Sequence, residues 1–597
     1  MSTAETRHVW RDMLVRSWRL DGRMAVLVVL LTAAQVGAFA TTAVAVRMVI
    51  DRAARGDSSG IFLPAILGGI GFAMWGIGAY VRFELRSSIA ERVGFLQVDP
   101  EMQRTVAELE DLEHLERPDH LDNVTKLRGK GVTLAKSGWW VLETAALVCQ
   151  VLVTVLLLAT VHPAMLLFVL LGGPVFLLSH TAHRARAAGG SASAENIRLE
   201  RHLHELATGT ATGTEIRVSG TARLLLHRAD TAWREAGRTQ TTGRLRAAML
   251  NTTGSIVWVA GYCGALVLTV YLVAHGRASV GDLTLVVILG GQLRGEFAEV
   301  HHMYTHAVDG LALAKPYRWL LDHARARRRQ TRSQAPPVHL RQGLRLRDVT
   351  FQYPGSERQV LGPLNVDLPA GAVVAIVGAK GAGKTTLVKL LCKFHQPSSG
   401  NITVDGVDLC EIDTAAWRTA ISATFQDFVR YEVSARQAVG FGDLPALEDD
   451  DRVLAAIRQA DAEEMARDLP QGLETQLGDR FGGVNLSPAQ WQQVALARGA
   501  MRQDSVLVVL DQPAASLDAP SERAVFLRQA ARAQRLAAMR GTVTLLVSHR
   551  FTTVPVADLV LVLEDGRVVE AGSHEELVTA GGTYATLHQA ERDAYAS

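Results

Sequence analysis

The first half of the chain is a succession of apolar runs set between stretches dense in charge. Residues 24–49, 61–81, 141–161, 164–178 and 256–274 are almost free of charge, and a weaker run covers 280–293. A spanning helix needs about 20 apolar residues, so the pattern predicts six membrane helices. Only His162-Pro163 separates the third run from the fourth, whereas long polar stretches follow the second and the fourth. Those stretches carry charge at helical spacing, as in 108–115, which predicts helices continuing beyond the bilayer. The sixth run is interrupted by Arg294, Glu296 and Glu299, which predicts a helix that faces a polar cavity instead of lipid.

From Val338 onward the pattern changes to short apolar runs alternating with helical ones, as in an α/β domain with a parallel sheet. Residues 373–377 and 505–511 read as buried strands, and 386–391 as a helix. Between the two patterns lies an arginine-rich stretch ending in Pro336-Pro337, the composition of a connector. The predicted organisation is a helical membrane domain over 1–322, a linker over 323–340 and a nucleotide-binding α/β domain over 341–597. The linker arginines could meet anionic headgroups at roughly 1 kcal/mol per charge, but a solvated connector is the simpler reading.

Composition sharpens this picture in three places. A net charge of +2 over 597 residues gives no global field for nucleic acid, so none is expected as a partner. Cys149, Cys263, Cys392 and Cys410 show no C-x-x-C spacing, and a reduced, disulfide-free chain is expected. Arginines 7, 11, 16, 19 and 23 lead into a run too long for a signal peptide core, so no cleavable leader is expected. Nine basic residues crowd the first long loop, among them Arg82, Arg86, Arg92 and Arg104, against Arg52, Arg55 and Arg277 on the opposite side. By the positive-inside rule the long loops and the N-terminus are cytoplasmic, and an even number of spans puts the second domain there too.

The chemistry concentrates in Gly378-Ala379-Lys380-Gly381-Ala382-Gly383-Lys384-Thr385, a complete G-x-x-x-x-G-K-[ST] loop between a buried strand and a helix that begins at Thr386. In that setting glycines let backbone N–H groups close on a β-phosphate, Lys384 supplies positive charge, and the Thr385 hydroxyl can ligate Mg²⁺. A glycine-rich turn without ligand is the bland alternative. Asp511, at the end of the strand 505–511, can hold Mg²⁺ through water. A strand ending in a carboxylate is common by itself, and becomes specific when paired with the upstream loop.

Between these anchors the chain resembles the ATP-binding cassette family, and six spans ahead of one cassette resemble its half-size exporters. The resemblance implies ATP and Mg²⁺ as ligands, with Tyr353 stacking on adenine and Gln426 sensing the metal. It places Ser487 and Gln490 in the signature segment 485–490, Asp518 in the loop after the acidic strand, and His549 as the switch histidine. Residues 475–483 resemble the loop that precedes the signature in exporters. Alone, Tyr353 would read as a strand aromatic and His549 as a histidine at a strand end. Such proteins act as dimers, and their spans move through cytoplasmic helices docked on the cassettes, here expected near 115–121 and 214–224.

Two positions depart from the family pattern. Gln512 stands where the family has the glutamate that polarises the attacking water, and Pro488-Ala489 replaces two glycines of the signature. A carboxamide cannot accept a proton, so ATP is expected to bind well and hydrolyse slowly. A sandwich dimer builds each pocket from one chain's loops and the other chain's signature. A heterodimer could therefore keep one working pocket, and it is favoured over a homodimer, with membrane lipid around it and an unidentified substrate. The expected function is ATP-driven export across a bacterial cytoplasmic membrane; an importer with this fold, or an ATP-binding regulatory subunit without turnover, are the alternatives. His301, His302 and His306 project to different helix faces, and cavity lining is favoured over a metal site.

Overall fold

The computed structural model describes residues 3–328, 334–513, 519–548 and 554–596. The chain divides into two compact units, Met1–Arg104 with Thr125–Leu320, and Thr105–Val124 with Leu321–Ser597.

In the first unit five helices are long and apolar enough to cross a membrane: α1 (Gly22–Ala54), α2 (Phe62–Ala107), α3 (Gly131–Val161), α4 (Met165–Ala192) and α5 (Ala222–Ala274). The helix over the sixth run, α6 (Val280–Ala312), has 33 residues but is not among those five; Arg294, Glu296 and Glu299 break its apolar stretch. Its own buried face, Leu285, Val286, Leu289 and Leu293, joins Phe39 of α1, Leu158 of α3, Phe168 of α4 and Trp258 of α5 in one core. Ser279 and Asp282 close a reciprocal cap on the start of α6, and Asp51 accepts from Ser279 Oγ at 2.9 Å and from the Gly281 N–H at 2.7 Å. At 53 residues α5 is about 80 Å long, far more than a bilayer is thick, as charge at helical spacing in the polar stretches predicts. Phe62, Ile66, Ile77 and Tyr80 of α2 are each more than half exposed, the composition of a lipid-facing stripe.

Polar groups inside this unit are mostly paired. Arg82 and Arg86 share Glu143, while Gln150 and Thr154 donate to Glu296 at 2.9 and 3.0 Å.

Among the described residues the second unit holds ten strands in two sheets. β1 (Gly343–Gln352), β2 (Gln359–Pro369), β4 (Ser399–Val404) and β5 (Val407–Asp408) form an antiparallel sheet in the order β2-β1-β4-β5. β3 (Val373–Val377), β6 (Ile421–Thr424), β7 (Leu507–Asp511), β8 (Val543–Val547), β9 (Leu559–Glu564) and β10 (Arg567–Gly572) form the second, in the order β10-β9-β3-β8-β7-β6, parallel except for the β10 edge. All residues of β7 and β8 are buried, as expected of strands covered on both faces, which read as continuous apolar runs. Residues of both sheets and of the helix α7 (Lys384–Leu391) share one core.

Trp417 lies at the centre of that core, fully buried, and its indole N–H donates to the Leu391 carbonyl at 2.9 Å. It thereby satisfies a terminal carbonyl of α7 that has no partner inside the helix. We predict that Trp417→Ala destabilises this unit by about 3–5 kcal/mol and abolishes ATP retention. Thermal melting of the full chain with and without ATP measures both, and an unchanged melting curve would refute the anchoring role.

Candidate nucleotide site

The phosphate loop leaves β3 and runs directly into α7. In the sheet β3 lies between β9 and β8, and β7 follows β8, so the loop and Asp511 emerge at the same C-terminal edge, where ligands of open parallel sheets bind. Glycine is required at two points. Gly378 has φ +149° and a Cβ there would strike the Leu563 carbonyl; Gly383, the N-cap of α7, has φ +100° and a Cβ would strike Leu361. Ala379, Lys380 and Gly381 form the exposed rim of the loop, and Ala382 and Thr386 its buried base.

Lys384 is nine-tenths buried, and its ammonium donates to the Gly378 and Ala379 carbonyls at 2.7 and 2.9 Å. Burial lowers its pKa and the charge of Asp511 opposes that. The Thr385 hydroxyl reaches Asp511 Oδ2 at 3.5 Å, whereas buried Oδ1 has no hydrogen-bond partner among the described residues. Burial raises the Asp511 pKa, the Thr385 bond and Lys384 pull it back, and Asp427 adds to the rise. An orphaned carboxylate oxygen beside a threonine hydroxyl is an all-oxygen donor set suited to a hard divalent cation. Thr385 and Asp511 would hold Mg²⁺ there, and the ion would neutralise phosphate charge.

Tyr353 is half-buried; its hydroxyl meets Thr386 Oγ1 at 3.1 Å and its ring stands edge-on to His395 at 5.5 Å. Gln426 lies on the loop after β6, exposed, and makes no side-chain hydrogen bond among the described residues. Gln512 has φ +50°, costly for a residue with a Cβ. Its backbone is pinned on both sides: its N–H donates to the Val547 carbonyl at 3.0 Å, and Gln492 Nε2 donates to its carbonyl at 3.2 Å. His549 and Asp518 lie outside the described residues.

The signature segment opens α8 (Pro488–Ala500), with Ser487 as N-cap and Pro488 as the first helical residue. Ser487 Oγ accepts from the Gln490 N–H at 3.2 Å, and Gln490 Oε1 accepts from the Ser487 N–H at 2.9 Å. Pro488 has no N–H, so Ala489 alone keeps a backbone donor at this terminus for an incoming oxygen.

A segment far upstream of the phosphate loop packs beside the site. Residues Thr105–Val124 belong to the nucleotide-binding unit. Glu116 accepts from Lys389 of α7 at 2.7 Å and pairs with His395 at 3.0 Å; Lys389 in turn stands 5.5 Å over the Tyr353 ring. Arg418 donates to the carbonyls of Glu110 and Lys393. The expected docking segment 115–121 spans the end of helix Glu113–Glu116 and the start of helix Pro118–Leu127. The other, 214–224, lies in the membrane unit. Glu116 and Lys389 are 273 positions apart, and no local pattern joins them.

A family model described as ABC transporter matches residues 361–515, from β2 to beyond Asp511. Over the whole chain the fold is that of a solved bacterial Atm1-family ABC exporter with ATP bound, with a TM-score of 0.74 and 24% identity, covering 96% of this chain and 98% of that one. Residues 361–515 thus match the ABC transporter family, and the chain has the fold of that exporter. Among curated relatives, an ATP-dependent lipid A-core flippase of Pseudomonas aeruginosa is 34% identical over 324 residues, 54% of this chain and 52% of the relative. The flippase of Burkholderia orbicola is 39% identical over 254 residues, 42% and 41% of the two chains. An uncharacterized ABC transporter ATP-binding protein of Bacillus subtilis is 32% identical over 321 residues, 54% of each. The chain thus spans about half the length of the first of these curated relatives. With its cassette and its apolar helices it is a multi-pass membrane protein that binds nucleotide.

Two predictions follow from the electrostatics of the ABC cassette. Asp511 is a carboxylate whose charged form the fold disfavours, so Asp511→Asn is expected to raise the melting temperature of the nucleotide-free protein and to remove Mg²⁺-dependent ATP retention. A lower melting temperature would contradict this. His395 is held below its ordinary value of 6.5, chiefly by burial, with Glu116 opposing. The native state therefore binds a proton less readily than the unfolded chain, and this contribution to stability is complete above pH 6.5 and declines as the pH falls below it. The melting temperature of the natural chain should drop more on acidification to about pH 5.5 than that of His395→Gln; parallel curves would rule it out.

Proposed function

We propose that this chain is one half of an ATP-driven exporter of a bacterial cytoplasmic membrane, with its N-terminus and cassette on the cytoplasmic side. The observation that carries the reading is the phosphate loop facing Asp511 at one sheet edge, on a chain with the exporter fold. The names of the flippase relatives support an amphipathic substrate carried across lipid.

In this reading Lys384 and the loop amides bind the phosphates of ATP, Thr385 and Asp511 hold Mg²⁺, and Tyr353 carries the adenine. Gln512 occupies the place from which water is activated. Its backbone is fixed by Val547 and Gln492, so its carboxamide can orient a water but cannot accept the proton. A positioned base is worth about 10² to 10⁴ in rate, roughly 3–5 kcal/mol of barrier, so turnover in this chain's own pocket is slow. With Pro488 silent and the Gln490 N–H occupied, Ser487 and Ala489 are left to reach a nucleotide bound by a partner's cassette.

Pairing with a second, different half-transporter supplies what is missing. The partner would bring a glutamate to one pocket and an intact signature to the other. A homodimer with both defects in each pocket, a transporter with little hydrolysis, is the second reading that Gln512 and Pro488 support.

In the working dimer Gln512→Glu should raise steady-state ATP hydrolysis at least 100-fold, with ATP affinity little changed. Recovery in the lone chain supports a homodimer, and recovery only with a co-purified partner supports the mixed pair. No recovery in either setting, with ATP still bound, would show that the missing base is not what limits turnover.

A further inference from the structure

Within the membrane unit α4, α5 and α6 enclose a cavity of about 320 Å³, lined among others by His183, Arg186, Asn251, Arg294, His301 and His302. No acidic residue lines it. Neither Arg186 nor Arg294 makes an ion pair among the described residues, and Arg294 is steadied by a neutral group, the Ser255 hydroxyl. His301 is nine-tenths buried, and neither of its ring nitrogens has a hydrogen-bond partner. Its neighbours are rings: Phe176 at 5.4 Å, His180 at 6.0 Å and His183 at 5.9 Å, all edge-on.

This arrangement lacks one component. Charged side chains at membrane depth pair with one another or line a functional path, and buried polar groups find hydrogen-bond partners. The nearby acid of α6, Glu296, lines a different cavity, where Gln150 and Thr154 bind it. A metal is a poor candidate, because two guanidinium groups at the wall repel a cation. Among the described residues, moreover, no group of three His, Cys, Asp or Glu is placed to hold one.

We propose that this cavity binds an oxyanion, the carboxylate or phosphate group of the molecule that the chain moves. Arg186 and Arg294 supply the counter-charge, His301 donates a hydrogen bond from a ring N–H, and Asn251 completes the polar wall. The word "moves" rests on the export reading; the site itself rests on the cavity.

The test uses the full chain in phosphatidylcholine nanodiscs. Binding of radiolabelled citrate probes a soluble source, oleoyl-lysophosphatidate a lipid source, and monooleoylglycerol serves as the uncharged control. ATP retention is measured on the same samples. Arg186→Gln, Arg294→Gln and His301→Ala should each weaken one anionic probe at least five-fold, leaving the control and ATP retention unchanged, and His301→Asn, which keeps a donor, should recover part of the loss. Which probe responds identifies the source. Anionic probes that bind no better than monooleoylglycerol, or that ignore all three substitutions, overturn the proposal. Loss of ATP retention in all three variants would make these folding residues and overturn it too. If the natural chain failed to retain ATP, the export reading would fall, while the anion measurements would still decide the site.

Discussion

Two opposite charges taken out of water at the edge of a buried sheet set the terms for the rest of the nucleotide-binding unit. Lys384 at the start of α7 and Asp511 at the end of β7 meet at the C-terminal edge of the sheet, and burial works against the charged form of each. Their mutual attraction offsets part of that cost. The remainder is visible in the lysine folded back on two loop carbonyls and in a carboxylate oxygen with no partner. Such an edge is poised for a ligand that carries negative phosphate and a positive ion together. The surrounding features hold it in place: glycines that permit the loop, Trp417 closing the end of α7, and Gln492 and Val547 pinning Gln512.

The membrane unit answers to a related constraint in a different solvent. Hydrocarbon offers polar groups nothing, so Arg82, Arg86 and Glu143 gather together and Glu296 takes donors from α3. α6 divides the interior, with Glu296 and Glu299 at one cavity and Arg294 and His301 at another. The charges that weaken its hydropathy are thus sorted by face, and the helix remains in the core through Leu285, Leu289 and Leu293.

Glu116 ties an upstream segment to the nucleotide site. Its carboxylate binds Lys389 on the helix that the phosphate loop starts, and His395 beside the Tyr353 ring. A change in how α7 or Tyr353 is engaged therefore bears on the segment that carries Glu116. Half-buried pairs of this kind hold better than surface ones, because water screens them less.

Much of this was legible in the linear chain. Apolar runs set between charged stretches, a phosphate loop between strand and helix, and a carboxylate ending a buried strand are local patterns, each dictated by the periodicity or chemistry of neighbouring residues. So were the departures at Gln512 and Pro488, since each changes a functional group at a known position of a motif. The sixth span was less clear, because its charges depress the hydropathy on which such a reading depends. What only tertiary structure decided are the long-range contacts. These include the pairing of Glu116 with residues far along the chain, the grip of Gln492 on the Gln512 carbonyl, and the gathering of Arg186, Arg294 and His301 around one cavity. Sequence determines what each side chain can do; which partners it finds depends on packing that brings distant helices and strands within 3 or 4 Å, about the range over which hydrogen bonds and ion pairs act.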